Sequence, residues 1–373
     1  MIFINETKKL SKMITGCKFN AKSNDEKSVY FGRLLGIGFG MVFQNTDNSF
    51  WIKKALDAAD WDGKNFSLGI DYLTKALKAS KKCIEIDVEN NLIIIDGKFS
   101  VDAGLTVSHA NKLFPEHNLV HVSDINGKQF LSNLGHVLPL VSIDKDKFIL
   151  QHIGFAENGQ VIYGTCGRRC GRISNGIIRI HNATEKNGAI HGWPLKFAGE
   201  LFVGYELRYS QSDNHLYNKL EDEYGNMILS NNRYIYPEVN KAFDSNNIKK
   251  PGTFIVNVKE ILDALNAAKS IIPDNKRINM EFFPDGNIVI SVKNQDVITE
   301  ISTEYRMVFT VNWDNRYYVN VNCFYLIDIL KTVSSDFVTL GVDEVISGRL
   351  NTSPLYFWED DVNAEKFLIQ LRS

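Results

Sequence analysis

The residues best suited to chemistry in this sequence are its thiols and imidazoles, and their spacing decides what they can do. Cys166 and Cys170 stand four positions apart, with Arg168 and Arg169 between them. A thiol pair points to a metal or redox site when it is spaced Cys-x-x-Cys or is joined by a second Cys/His pair close by. Here three residues intervene, and His181 and His191 are too far apart to complete a set by spacing alone. The eight histidines are dispersed. Nothing reads as a nucleophile elbow, an HExxH metal helix or a paired-carboxylate site. Gly36-Ile37-Gly38-Phe39-Gly40 has the glycines of a phosphate loop, but not the lysine and hydroxyl of a P-loop or the spacing of a dinucleotide fingerprint. It reads as a strand containing glycines. The expectation is no catalytic residue, no metal and no cofactor.

Lysine is the residue that recurs in a pattern. Lys8, Lys9 and Lys12 lie off the apolar stripe of a first helix. Lys75 and Lys78 lie on another, with Lys81 and Lys82 just beyond. Lys128, Lys196, Lys259, Lys269 and Lys331 fall on or beside four more. Lysine on a solvated helix face is the ordinary condition, so the meaning of these charges depends on the elements that carry them.

Those elements repeat. In Tyr318–Val333, an extended segment turns helical, and Cys323, Leu326, Ile327, Leu330 and Val333 form one apolar stripe before the strand Phe337–Val342. Asn5–Gly16 carries a stripe of Leu10, Met13, Ile14 and Cys17. Phe66–Ser80 leads into strands at Cys83–Val88, Leu92–Ile95 and Lys98–Asp102, with Asp96-Gly97 as a hairpin turn. From Val122, the stripe is Phe130, Leu131, Leu134 and Val137, followed by strands Phe148–Phe155 and Gln160–Thr165 around Glu157-Asn158-Gly159. A short helix starts at Pro194, then a strand Val203–Tyr209 and a polar, loop-like Asp213–Asn226. After Pro251-Gly252 come a stripe of Ile261, Leu262, Leu265 and Ala268 and strands Ile278–Phe283 and Ile288–Lys293; Leu355–Trp358 and Phe367–Leu371 are the last strands. The reading is α+β: three similar domains, 1–118, 119–250 and 251–373, each with two short helices packed on antiparallel sheets.

Composition fits this reading. The chain has 373 residues, 44% apolar and 23% charged, enough for several cores. A net charge of −2 argues against a protein that coats nucleic acid non-specifically, while leaving room for local basic faces. No apolar run reaches the roughly 18–20 residues that span a bilayer, and MIFINETKK has no signal-peptide architecture. The five cysteines read as reduced thiols in a cytoplasm-like compartment.

The units resemble the bacterial DNA polymerase III beta subunit, the sliding clamp. FIVNVKEILDALNAAK is similar to the first helix segment of the clamp's third domain, YVNVNCFYLIDILKTV to its FN-x-x-YL-x-x-x-L segment, SPLYFW to its SP-strand, and FLIQLRS to its terminal strand. Thr165-Cys166-Gly167-Arg168-Arg169-Cys170 stands where the family has Thr-Asp-Gly-His-Arg-Leu, and Tyr236-Pro237-Glu238-Val239 where it has Phe-Pro-Asp-Tyr. FSLGIDYLTKALK carries the match in the first third, and residues 20–60 match poorly. Cys166 stands for an acid, Arg168 for a histidine, and Gln370 and Asp244 for prolines, which marks a distant relative with altered partner preference.

The resemblance implies a non-enzymatic processivity factor, a six-domain ring made by a homodimer that encircles double-stranded DNA. Lys8, Lys9, Lys12, Lys75, Lys78, Lys82, Lys128, Lys196, Lys259 and Lys331 would then face phosphates from helices lining the hole. Polymerase and clamp loader would insert short peptide motifs into a site carried over as follows. Leu150, Thr165, Gly167, Arg168, Arg169 and Cys170 come from the second domain, and Val239 and Phe243 from its closing segment. Ser353 and Pro354 come from a third-domain strand, and Ile369, Leu371 and Arg372 from the terminal strand. The location implied is the cytoplasm of a bacterium, or of the host for a viral copy, with no membrane partner. The rival from another class is an enzyme or ligand-binding protein on a repeated α+β scaffold.

Overall fold

The structure is a computed structural model. It describes residues 2–4, 7–17, 28–34, 38–44, 50–56, 65–102, 106–107, 118–144, 146–182, 187–237, 243, 252–270, 276–283, 288–293, 298–303, 317–342, 354–359 and 364–368. Its chain divides into two compact units: Met1–Leu131, Glu157–Gln160 and Asn175–Tyr236 in the first; Ser132–Ala156, Val161–Ser174 and Pro237–Ser373 in the second.

The apolar stripes fold as the periodicity predicts. Helix α1 (Thr7–Cys17) buries Leu10, Met13 and Ile14, and α2 (Ile70–Ala79) buries Leu73, Ala76 and Leu77; the two pack on each other. Helix α3 is Gly127–Val137. Near residue 195 the single expected helix is two four-residue pieces, α4 (Gly192–Leu195) and α5 (Ala198–Leu201). The first begins before Pro194, and the His191 Nδ1 accepts from Trp193 N at 3.1 Å to cap it. Helices α6 (Val258–Lys269) and α7 (Cys323–Leu330) pack together, and each starts at an asparagine. Asn257 Oδ1 accepts from Glu260 N at 3.1 Å; Asn322 Oδ1 accepts from Phe324 N and Tyr325 N at 3.0 and 3.2 Å. These side chains satisfy donors that a helix start leaves open.

The first unit holds a ten-stranded antiparallel sheet. Its order is 177–180, 119–126, 206–212, 217–222, 227–231, 50–55, 38–44, 28–34, 66–69 and 106–107. A four-stranded sheet of Ile2–Ile4, Ile84–Asp87, Leu92–Ile95 and Phe99–Asp102 completes it. At its hairpin Ile95 pairs with Phe99 around a three-residue loop, in which Asp96 and Gly97 both have positive φ, 51° and 67°, and Lys98 N donates to Ile95 O at 3.0 Å. The polar stretch expected as a loop contains a central strand instead, Tyr217–Asp222. Its inward residues Asn218, Leu220 and Asp222 are buried, and the polar ones are satisfied. Asn218 Oδ1 accepts from Tyr209 Oη and Gln211 Nε2 at 2.8 and 3.1 Å, and Asp222 Oδ1 from Asn226 N at 2.9 Å. Composition hid the strand because its core face is polar. Likewise, the strand expected from Val203 starts at Glu206, and the one expected from Phe148 starts at His152 after a 3-10 turn.

In the second unit, antiparallel strands run in the order 152–156, 161–165, 169–174, 364–368, 355–359, 337–342 and 252–257. A four-stranded sheet runs 298–303, 288–293, 277–282 and 317–322. Between them and α6 and α7 lies a core including Phe254, Leu265, Met280, Phe282, Val321, Leu326 and Leu330. The last strand is Ala364–Leu368; Ile369, Leu371 and Arg372, with Val239 and Ser353, lie outside the described residues.

Candidate functional site

The second unit gathers the described part of the expected peptide site around the turn between strands Val161–Thr165 and Arg169–Ser174. Thr165 Oγ1 donates to Arg169 O at 2.8 Å and accepts from Gly167 N at 3.0 Å, and Cys166 N donates to Arg169 O at 3.2 Å. Gly167 has φ +85°, which a side chain would resist, and Leu150 Cδ1 lies 3.4 Å from where its Cβ would be. Thr165 and Cys170 are buried, Leu150 is half-buried, and Gly167 and Arg168 are exposed. Burial pushes the Cys170 thiol far up, opposite to what a reactive thiolate or metal ligand needs.

Arg169 departs from the picture of an arginine at a solvated rim. Its guanidinium is buried, ion-paired to Asp328, hydrogen-bonded to Pro139 O at 2.9 Å, and set 4.9 Å from the Tyr325 ring centroid. It ties the turn to α7 and leaves Arg168 as the exposed cation. Beyond the turn, Cys170 and Tyr356 form a small buried cluster with Phe243 and Trp358 against it. Arg172 pairs with Glu365 and lies 4.6 Å from the Phe243 ring centroid. Strand register explains the convergence: Arg169 and Cys170 oppose Leu368 and Phe367, and these oppose Leu355 and Tyr356. Pro354, half-buried, precedes that last strand. Nothing local in the sequence marks the remaining residues: strand register brings Arg172, Glu365, Tyr356 and Trp358 there, and the packing of α7 brings Tyr325 and Asp328.

A second set of charges lies beneath this surface. Lys366 and Glu359, both buried, form an ion pair, and His136 Nδ1 comes within 3.5 Å of Glu359 Oε1. Ser334 donates to Glu359 Oε2 from N at 2.8 Å and from Oγ at 3.1 Å. Burial alone would raise the Glu359 carboxyl; His136 beside it, the charge of Lys366 and these hydrogen bonds outweigh burial and hold it at about 2.

All ten lysines of the expected DNA-facing set are exposed. Lys8, Lys9 and Lys12 are on α1, opposite its buried residues, and Lys75 and Lys78 on α2, with Lys82 just after it. Lys128 and Lys259 lie in the first turns of α3 and α6, and Lys196 and Lys331 cap α4 and α7. Lys12 Nζ lies 3.5 Å from Glu200 Oε1. Exposure is what a phosphate contact needs and also what most helix lysines have, so these residues gain meaning only from the fold that carries them.

That fold is the sliding-clamp fold. The chain is similar over its whole length to the DNA polymerase III beta subunit of Thermotoga maritima, with a TM-score of 0.78 and 13% identity, covering 100% of this chain and 99% of that one. It is similarly close to the DNA polymerase sliding clamp of Bacillus subtilis, at TM-score 0.75, 13% identity and the same coverage. The polymerase beta subunit of Streptococcus pyogenes gives 0.76 and 12%, with 100% of both chains covered. No protein-family model matches the sequence, and no curated protein matches it significantly. Among the described residues, no helix is long and apolar enough to cross a membrane.

Proposed function

We propose that this protein is a DNA sliding clamp, a non-enzymatic processivity factor that encircles duplex DNA and tethers a polymerase. The full-length match to DNA polymerase III beta subunits, with almost no unaligned chain on either side, carries this reading. Three repeats, 1–118, 119–250 and 251–373, make up the chain. The middle repeat shares its sheets with its neighbours: strand 227–231 pairs with 50–55, and strand 169–174 with 364–368. A head-to-tail homodimer closes the ring. The ten exposed lysines meet the phosphate backbone without reading sequence, which suits a sliding contact. Partner peptides from polymerase and loader dock at the turn carrying Leu150, Gly167 and Arg168, with Phe243 and Pro354 beside it and Val239, Ser353, Ile369, Leu371 and Arg372 completing the site. The cytoplasm of a bacterium, or of the host for a viral copy, is the compartment that fits.

Light scattering should report twice the 42.3 kDa chain mass. Protein assembled on a nicked circular DNA should stay bound through a high-salt wash and be released when the circle is linearised. A monomer that neither dimerises nor shows this topological retention would overturn the reading.

A further inference from the structure

In the first unit, three ligand-type side chains meet at a place that no spacing rule marks. His121 and Asp124 lie on strand Leu119–Asn126, and His181 follows the edge strand Ile177–Ile180 paired with it. Residues three apart on a regular strand face opposite sides of a sheet. Here the pairing with strand Glu206–Ser212 passes from His121↔Ser210 to Ser123↔Tyr209, leaving Val122 as an extra residue. That bulge shifts the parity and brings His121 and Asp124 to one side. The Val122 carbonyl then accepts from His181 N at 2.9 Å and Asn182 N at 3.3 Å, and the Asn182 amide donates to His121 O. The backbone thus holds His181 over the bulge.

The side chains converge on the buried Asp124 carboxylate. His181 Nε2 lies 2.8 Å from Oδ2, and His121 Nε2 lies 2.8 Å from Oδ1. The two imidazoles stack, with centroids 4.1 Å apart and planes 26° apart. His121 Nε2 is shielded from solvent and, despite that close approach, has no hydrogen bond of good geometry. We propose that His121, Asp124 and His181 bind a divalent transition-metal ion of the zinc class. Two imidazole nitrogens and one carboxylate oxygen suit zinc, cobalt or nickel, whereas magnesium and calcium prefer all-oxygen sites. All three ligand atoms lie within 4.8 Å of one another. A tetrahedral ion with bonds of ~2.0–2.2 Å would hold them roughly 3.3–3.6 Å apart, so on binding the two 2.8 Å contacts to Asp124 open by about half an ångström or more and the stacked imidazoles swing apart to aim their nitrogens at the ion. Water takes the fourth position. The ion clasps the edge of the ten-stranded sheet to its neighbour, a structural role independent of the clamp reading.

Isothermal titration of the full chain with zinc should show one bound equivalent at micromolar affinity. Cobalt should give visible d–d absorption without the near-ultraviolet band of a thiolate ligand. His121→Asn and His181→Asn should each weaken zinc binding by at least about tenfold, with an unchanged circular dichroism spectrum. The wild-type titration alone can overturn the proposal, through no binding of zinc, cobalt or nickel. Binding that persists in both variants, or a thiolate band with cobalt, would overturn it equally.

Discussion

The Glu359 carboxylate, held by His136, Lys366 and Ser334, should dominate the acid stability of the sheet that carries the proposed peptide site. Glu359 and Lys366 are both buried, and the Glu359 carboxyl is held at about 2 against an ordinary value of 4.5. A carboxyl whose folded pKa is depressed contributes its full stabilisation above the unfolded value and loses it as pH falls toward the folded one. A depression of about 2.5 units corresponds to roughly 3 kcal/mol, present above about pH 4.5 and lost between there and about pH 2. Lys366→Met at neutral pH strands a buried carboxylate and should cost a similar ~3–5 kcal/mol. Glu359→Gln with Lys366→Met together should recover much of that loss, because neither charge is then left alone. Pulse-labelled hydrogen exchange in urea, read on peptides covering strands 355–359 and 364–368, isolates this sheet. The reasoning fails if Glu359→Gln shows the same loss of protection between pH 5 and 3 as the wild type, or if Lys366→Met costs less than about 1 kcal/mol.

Three further outcomes separate the neighbouring arginines and test the lysines. Arg169→Ala should destabilise the second unit by about 2–4 kcal/mol in urea unfolding, because it abandons Asp328, Pro139 O and Tyr325. Arg168→Glu should leave stability within about 0.5 kcal/mol but weaken binding of a polymerase tail peptide, measured by fluorescence anisotropy. Replacing Lys75, Lys78 and Lys82 by Glu should flatten the dependence of log K on log salt by about 0.9 for each phosphate that is no longer neutralised, with equal effect on unrelated DNA sequences; an unchanged slope would remove α2 from the DNA face.

What the sequence disclosed was governed by periodicity. The stripes of α1, α2, α3, α6 and α7 follow helical spacing, and the turns declare themselves through Asp96-Gly97 and Asn158-Gly159, residue types that accept the positive φ they adopt there; the positive φ of Glu157 had no such signal. Strand Tyr217–Asp222 stayed hidden because Asn218 and Asp222 occupy inward positions that a hydrophobicity pattern assigns to solvent. The burial of Arg169 was equally illegible: its partner Asp328 is on a distant helix, and nothing local to either residue signals the other. For His121 and Asp124 the obstacle was parity, since a bulge is set by the neighbouring strand and not by the residues it realigns. The exposed lysines were readable as a set, yet their spacing alone could not distinguish a DNA face from ordinary solvated helices.

The pairing of strand 169–174 with strand 364–368 has a consequence for synthesis. During translation, the earlier strand emerges long before its partner. At ~5–20 residues per second, it waits on the order of 10–40 s with that edge unpaired. An open edge of this kind invites pairing with another nascent chain on the same messenger. A ribosome stalled before strand 364–368 would leave a product with that edge permanently open. Such fragments should be captured by holdase chaperones or accumulate in the insoluble fraction, whereas fragments stalled before residue 169 should not show this edge-specific behaviour.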